Sequence, residues 1–375
     1  MNRRTLLASL LTTAATASTA AAAPPPPPRL DLSPGRPGPK NLITDVPGLK
    51  IGQAEDVKAR TGVTVILPDV AAVAAVDVRG GGPGTRETDA LDTENLVHTV
   101  DAITLSGGSV YGLAAADGVA AWLGSKGRGY GVGMLPPGVP PSPIVSGAIL
   151  FDTPNGGDKG WGLEPPYRRL GIAAVESAGD TFKLGTAGAG YGARSGGLKG
   201  GLGSASVVSF DGMTVGAIVA VNSAGSVVAP GTRQFWAAPF ELDGEFGHLG
   251  SDRLAALPDE WGPAKANPQA RQNTTIGCVA TDVRLEPDEI KRVAIMAQDG
   301  LARAIRPIHM PFDGDVVFAI STGKREMAGP RPFAVARIGA LAADTLARAI
   351  ARGVYEATGW PGVKAWRDLP DSGAS

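Results

Sequence analysis

The sequence predicts an α/β fold of stacked layers with several antiparallel strand pairs. Three observations predict it. Short runs rich in Val, Ile, Ala and Thr recur in both halves of the chain, bounded by Gly, Pro or Asp, the pattern of strands. Segments with apolar residues spaced by three and four follow strand pairs in both halves, the pattern of helices packed on a sheet. Gly accounts for 53 of 375 residues, about twice the usual share. The glycines stand between apolar runs, so they point to tight turns and close backbone approaches and not to disorder.

The chain opens with "MNRRTLLASLLTTAATASTAAAA". Arg3 and Arg4, an apolar stretch and then small residues make 1–23 similar to a twin-arginine export signal. That apolar run is too short and too rich in Thr to span a bilayer, and no other stretch qualifies. The Pro run Pro24–Pro28 starts a stiff, extended linker over 24–40. One domain is expected over 41–375. "TGVTVILPD" and "VAAVAAVDV" read as strands broken by Pro68 and Asp69. "RGGGPGTRETDALD" is a Gly-rich loop leading to a short helix around Glu94–Val97. "DAITLSGGSVYGLAAADGVAAWLGSKG" reads as strand, Gly turn and helix from about Val110 to Leu123, with Leu113, Val119 and Leu123 at helical spacings.

A Pro-rich loop follows at Pro136–Pro143, then the strand-like "IVSGAILFD" and a long irregular stretch, "TPNGGDKGWGLEPPYRRLG". "GIAAVES", "SASVVSF" and "TVGAIVAVN" read as further strands. Residues Ala229–Asn273 are polar and lack periodicity; loops of that length are functional or mobile as a rule. "TTIGCVATDV" is a buried strand by composition, and two helices follow it, "EPDEIKRVAIMAQDGLARAI" and "FAVARIGALAADTLARAIARGVYEA", with the strand "DGDVVFAIST" between them.

With 43% hydrophobic and 19% charged residues the chain has the material for a sizeable core. A formal net charge of -1 and the lack of a dense basic run argue against a nucleic-acid partner reached through phosphates. Cys278 is the only cysteine, which excludes an intrachain disulfide and a cysteine metal cluster. There is no H-E-x-x-H and no P-loop Lys, and "SGGSVYG" fails G-x-S-x-G because Tyr111 stands where the last Gly is required. His98, His248 and His309 sit in polar or loop contexts. The cluster Gly80–Gly84 reads as a tight turn more readily than as an anion cradle. "FDGD" brings Asp313 and Asp315 two residues apart; Asp-Gly is a strong turn former, and a metal would need more oxygen ligands than the segment supplies.

Thr274 raises a different possibility. A hydroxyl is a poor nucleophile without a base close by, and an N-terminal Thr carries its own in the α-amine, whose unperturbed pKa of about 7.7–8.0 suits the task. An internal Thr becomes N-terminal when its hydroxyl attacks the preceding carbonyl and the resulting ester is hydrolysed. Asn273–Thr274, after a long polar segment and before a strand, is a plausible place. On the residues alone, a Thr that simply opens a strand is the plainer reading.

A set of blocks in fixed order changes that balance. "NLITDVPGLKIG", "GVTVIL", "VRGGGPGTRETD", "LSGGSVYGLAAADGV", "LKGGLGSAS", "AVNSAG", "NTTIGCVATDV" and "PFDGDVVFAI" resemble the family that contains the L-aminopeptidase/D-amidase-esterase, the bacterial β-peptidyl aminopeptidases and the nylon-oligomer hydrolase. The resemblance covers roughly Asn41 to Tyr355. It implies an αββα sandwich like that of N-terminal nucleophile hydrolases with different connectivity, cut between Asn273 and Thr274 into two chains that stay together. It implies Thr274 as nucleophile and base, Asn222 as a donor to the oxyanion, Lys199 near the nucleophile, and Asp313 and Asp315 as a pair that positions it. Without the resemblance Lys199 reads as a solvated loop residue.

Some positions depart from the pattern. Phe151 stands where the nylon-oligomer hydrolase has Tyr, the first acidic place is Ser in β-peptidyl enzymes, and the insert Ala229–Asn273 is longer than in the aminopeptidase branch. Asp152 or Asn155 is a candidate to receive a substrate ammonium. The implied activity is removal of N-terminal residues from small peptides, amides or esters through an acyl-enzyme on Thr274, with no metal and no organic cofactor. An endo-acting amide-oligomer hydrolase and an acyltransferase resembling ornithine acetyltransferase are the enzymatic alternatives, and an unprocessed binding protein is the non-enzymatic one. The signal and the resemblance together imply a periplasmic or secreted homo-oligomer.

Overall fold

The computed structural model describes residues 35–262, 264–265 and 273–370. The export-signal segment 1–23, positions 24–34 of the Pro-rich stretch and residues 266–272 lie outside the described residues. The strands are β1 (Leu49–Asp56), β2 (Thr61–Pro68), β3 (Ala72–Val78), β4 (Thr85–Arg86), β5 (Thr99–Val100), β6 (Ala102–Ser106), β7 (Val145–Ile149), β8 (Arg194–Ser195), β9 (Leu198–Lys199), β10 (Gly201–Val208), β11 (Thr214–Asn222), β12 (Thr274–Val283) and β13 (Val316–Arg325). The helices are α1 (Ala114–Ser125), α2 (Tyr167–Glu176), α3 (Pro287–Ala304) and α4 (Arg331–Tyr355).

One sheet has the order β1-β2-β6-β7-β4 and the other β10-β11-β12-β13-β3-β5. Pairing is antiparallel except for β6 with β7 and β12 with β13, the two parallel pairs whose connections carry α1 and α3. Helices α1 and α2 pack on the first sheet through Val119, Leu123, Tyr167 and Leu170 against Val63, Val65 and Val145. Helices α3 and α4 pack on the second through Ile290, Val293, Leu346 and Ile350 against Val215, Val219, Val279 and Val317. Between the sheets lies a third apolar layer that includes Ile66, Ile103, Ile218, Ile276 and Phe318. This is the αββα sandwich that the resemblance implies.

The second sheet explains why its strands read as continuous apolar runs. All ten residues of β12 are buried, and successive side chains point to opposite faces. Ile276, Cys278 and Ala280 enter the layer between the sheets, while Val279 and Val283 enter the helix layer. A strand covered on both faces has no polar side to display.

Two glycines show why the chain is so rich in them. A Cβ on Gly203 of β10 would stand 1.8 Å from the carbonyl oxygen of Ala349 in α4, and one on Gly171 of α2 would stand 2.2 Å from that of Ala115 in α1. Only a residue without Cβ permits these approaches.

Three predicted elements differ from the structure. "GIAAVES" is not a strand but the second half of α2. Its buried residues Tyr167, Leu170, Gly171, Ala174 and Val175 share one helical face that extends back into the stretch read as irregular. The helix expected around Glu94–Val97 is turn and bend, and a single 3-10 turn stands earlier, at Asp89–Leu91. The segment after the Gly turn opens as a 3-10 helix, Ser109–Leu113, before α1 begins at Ala114.

The long segment after β11 has little regular structure but is anchored. Phe235 and Phe246 are buried, and Phe235 stacks on Trp366 at 5.3 Å between ring centroids. Glu245 receives Arg348 of α4, itself buried, at 2.9 Å.

Candidate active site

The site is assembled where β11 ends and β12 begins. Asn222 and Thr274 are directly opposite partners in the antiparallel register. Both follow the even-numbered phase of their strands, shared with Ile218, Ala220 and Ile276, so both side chains face the layer between the sheets. Thr274 is 3% exposed and Asn222 2%. Asn222 accepts the Arg194 N–H on Oδ1 at 2.9 Å and donates from Nδ2 to the Phe151 carbonyl at 3.2 Å. Phe151 follows β7 of the opposite sheet, so Asn222 bridges the two sheets at the mouth of the layer.

The Thr274 hydroxyl donates to the carbonyl oxygen of Asn273, the residue before it. That carbonyl also accepts the Gly314 N–H at 3.0 Å. Gly314 is pressed against the hydroxyl: a Cβ there would lie 2.7 Å from Thr274 Oγ1.

The two carboxylates flank this glycine and are fully buried. Asp315 accepts the Thr275 N–H at 2.8 Å on one oxygen. Its other oxygen accepts the His309 N–H at 3.1 Å and faces His309 Nδ1 at 3.0 Å. Asp313 pairs with Asn273 as a parallel bridge and accepts the Met310 N–H at 3.2 Å on Oδ2. Its Oδ1 has no partner among the described residues. Burial, then the charge of Asp315, pushes Asp313 up to about 7.

The Gly-rich loop is a scaffold for this pair. The amide of Gly82 donates to the Asp313 carbonyl at 2.7 Å, that of Gly81 to Met310 at 3.2 Å, and those of Arg79 and Gly80 to Asp315. The amides of Arg79, Gly80, Gly81 and Gly82 are spent on carbonyls and not turned to a shared anion, which fits the turn reading of Gly80–Gly84.

Lys199 is buried with its amine donating to the carbonyls of Gly190 at 3.0 Å, Ala193 at 2.9 Å and Gly200 at 2.8 Å. Its ammonium also lies 4.8 Å from the centroid of the Trp360 ring. Burial pushes Lys199 down to about 7, while three acceptors that only N–H donors satisfy favour the ammonium. Its link to the site runs through one peptide unit: the Ala193 carbonyl takes the Lys199 amine, and the next N–H, of Arg194, goes to Asn222.

The substrate-side candidates lie next to this hairpin. Asp152 accepts the Gly108 N–H at 2.7 Å and the Thr61 hydroxyl at 2.9 Å, and burial pushes its carboxyl up. Asn155 donates to the carbonyls of Arg60 and Gly192 and accepts from Lys159. Phe151 contributes its carbonyl, as above.

Three residues at the site carry no sequence signal of their own. Lys265 places its amine 2.7 Å from Asn273 Oδ1 and 3.5 Å from the Asn222 carbonyl. Burial, then the charge of Arg194, pushes it down to about 7. His309 backs Asp315, and Gly314 backs Thr274. The only available hints were the Asp-Gly-Asp spacing around Gly314 and the proximity of His309 to it in the chain.

A family model described as peptidase family S58 matches residues 41–367. An uncharacterized aminopeptidase of Mycobacterium tuberculosis is 46% identical over 348 residues, covering 88% of this chain and 98% of that protein. A 6-aminohexanoate-oligomer endohydrolase of Paenarthrobacter ureafaciens is 31% identical over 309 residues, covering 79% of each. Among solved structures, the L-aminopeptidase D-Ala-esterase/amidase of Ochrobactrum anthropi superposes with a TM-score of 0.64 at 23% identity, covering 88% of this chain and 91% of that one. Its described fold is a variant among Ntn hydrolases.

Proposed function

This chain belongs to peptidase family S58, and we propose that it is a self-processing amide hydrolase whose nucleophile is the N-terminal Thr274 freed by its own cut. One observation carries the proposal. The Thr274 hydroxyl lies against the carbonyl of Asn273 while the Gly314 N–H polarises the same carbonyl. In the cut, the Thr274 oxygen bonds to the Asn273 carbonyl carbon, the Asn273–Thr274 amide bond breaks, and the hydroxyl proton passes to the departing amine. Water then hydrolyses the ester, leaving the Asn273 carboxylate and a Thr274 with a free α-amine and a free hydroxyl.

In turnover the α-amine takes the hydroxyl proton as Thr274 attacks a substrate carbonyl. Asp315, which holds the next backbone N–H, and Asp313 orient that amine, since nearby carboxylates favour its charged form and fix its direction. Asn222 supplies the side-chain N–H to the developing oxyanion, a kind of donor worth about 3–4 kcal/mol of barrier. Lys199 positions Asn222 through the Ala193–Arg194 peptide. Water releases the acyl group. Arg3 and Arg4 support export to the periplasm or beyond, and the reading includes a homo-oligomer of cut protomers.

Exo-acting aminopeptidase action is the leading form, supported by the name of the 46% identical relative. Endo-action on amide oligomers is the second, supported by the 31% identical oligomer endohydrolase. A panel of amides with free and acetylated N-termini separates them. Loss of turnover on blocking the amine supports the first, and indifference to blocking removes it. Thr274→Ala turning over the panel at the wild-type rate would overturn both.

A further inference from the structure

Lys265 lies on the N-terminal side of the scissile bond, in the polar segment without periodicity. Its backbone N–H donates to the Ala224 carbonyl at 2.9 Å, which fixes the residue beside the end of β11. Its amine is then directed at the side-chain carbonyl of Asn273 at 2.7 Å. Asn273 is fully buried, and its Nδ2 has no partner among the described residues. The Lys265 contact therefore holds that side chain by its carbonyl oxygen, and Asn273 carries the main-chain carbonyl that Thr274 must attack.

We propose that Lys265 is a positioning residue for the self-cut: it clamps the Asn273 side chain and so fixes the scissile carbonyl between the Thr274 hydroxyl and the Gly314 N–H. This rests on the self-processing reading. Among the described charged residues of the site, Lys265 is the one whose side chain holds that of Asn273, on the acyl side of the bond. Lys199 spends its three N–H bonds on Gly190, Ala193 and Gly200, and Asp315 holds the strand on the amine side through Thr275. The clamp thus restrains the half of the reacting peptide that the carboxylates leave unrestrained. The charges facing Lys265 are those of Arg194 and Asp313; burial first, then Arg194, lowers its pKa to about 7, and Asp313 opposes them.

The full chain, made by cell-free translation, is followed over time as it converts into two fragments. Lys265→Met is expected to slow the cut roughly 10- to 100-fold, the range for loss of one hydrogen bond to a charged donor. Lys265→Arg recovers most of the rate. In an Asn273→Ala background, Lys265→Met has no further effect, because the group it acts through is already gone. A lysine that merely supports the fold would slow both backgrounds alike and would not be rescued through Asn273. Wild-type cutting with an unchanged rate in Lys265→Met, or equal slowing in both backgrounds, overturns the role of Lys265 alone. A wild-type chain that stays whole takes down the self-processing reading and this one with it.

Discussion

Replacing Gly314 by Ala puts a methyl group directly against the Thr274 hydroxyl. The new Cβ would stand 2.7 Å from Thr274 Oγ1, 2.8 Å from the Gly82 carbonyl oxygen and 3.3 Å from Thr274 Cγ2. Ordinary contact begins at 3.4 Å, so the hydroxyl must retreat by about 0.7 Å or rotate off the Asn273 carbonyl. Gly314 is not among the positive-φ glycines, so the backbone itself accepts Ala without strain. A misplacement of about 1 Å costs about 100-fold in rate, and 0.7 Å in the same geometry predicts a cut slower by about 10- to 100-fold. Overpacking of this kind costs about 1–3 kcal/mol of stability, a drop of a few degrees in Tm for a domain of this size. The assay is fragment formation on a gel beside a thermal melt of the same variant in an uncut Thr274→Val background, which keeps a side chain of the same shape against the new Cβ. A Gly314→Ala chain that folds and cuts at the wild-type rate refutes the geometry on which the nucleophile assignment stands.

The remaining predictions concern the carboxylates, pH and the thiol. Asp315→Asn offers one acceptor oxygen where Thr275 and His309 need two, so it should lose about 1–3 kcal/mol and cut slowly; wild-type Tm and rate would count against the positioning role. Asp313 is raised from an ordinary 3.8 to about 7, so the folded chain holds a proton that the unfolded chain gives up. Its contribution is fully present below about pH 4 and is lost as pH rises through 7, and Asp313→Asn should flatten that slope in melts of the uncut chain. Lys199 and Lys265 are lowered from 10.5 to about 7, which gives the opposite sign: stability rises from about pH 7 towards 10.5, and Lys199→Met should remove part of that rise. Burial pushes the Cys278 thiol up, so a thiol reagent should label it only when the chain unfolds; labelling of the native protein would contradict its place between the sheets.

The second sheet was legible because it is covered on both faces. Strands β11, β12 and β13 each bury alternate residues in two apolar layers, so apolar residues stand on both faces over the central part of each strand and the runs read plainly. Helix α2 was not, because the run Gly171–Ser177 is short and apolar enough for either element, and Pro165 and Pro166 hide the polar start of the same helix. At the candidate site, ordered blocks of sequence singled out Thr274, Asn222 and the Asp pair, and the structure places them close together. The register then explains why they meet, since Asn222 and Thr274 are opposite partners on adjacent strands. Lys265 was not legible, because its contact with Asn273 depends on how a segment without periodicity returns to the sheet. Lys199 was legible as a residue but not as a role, since it reaches the site through backbone carbonyls that no side-chain pattern records.

The most direct measurement is the N-terminal sequence and intact mass of the purified protein. The account predicts two polypeptides that copurify, one of them beginning Thr274-Thr275-Ile276 with an unblocked amine. Thr274→Ala should yield one continuous chain instead. A wild-type protein that is active on amides as a single uncut chain, or whose second N-terminus lies anywhere other than Thr274, contradicts it.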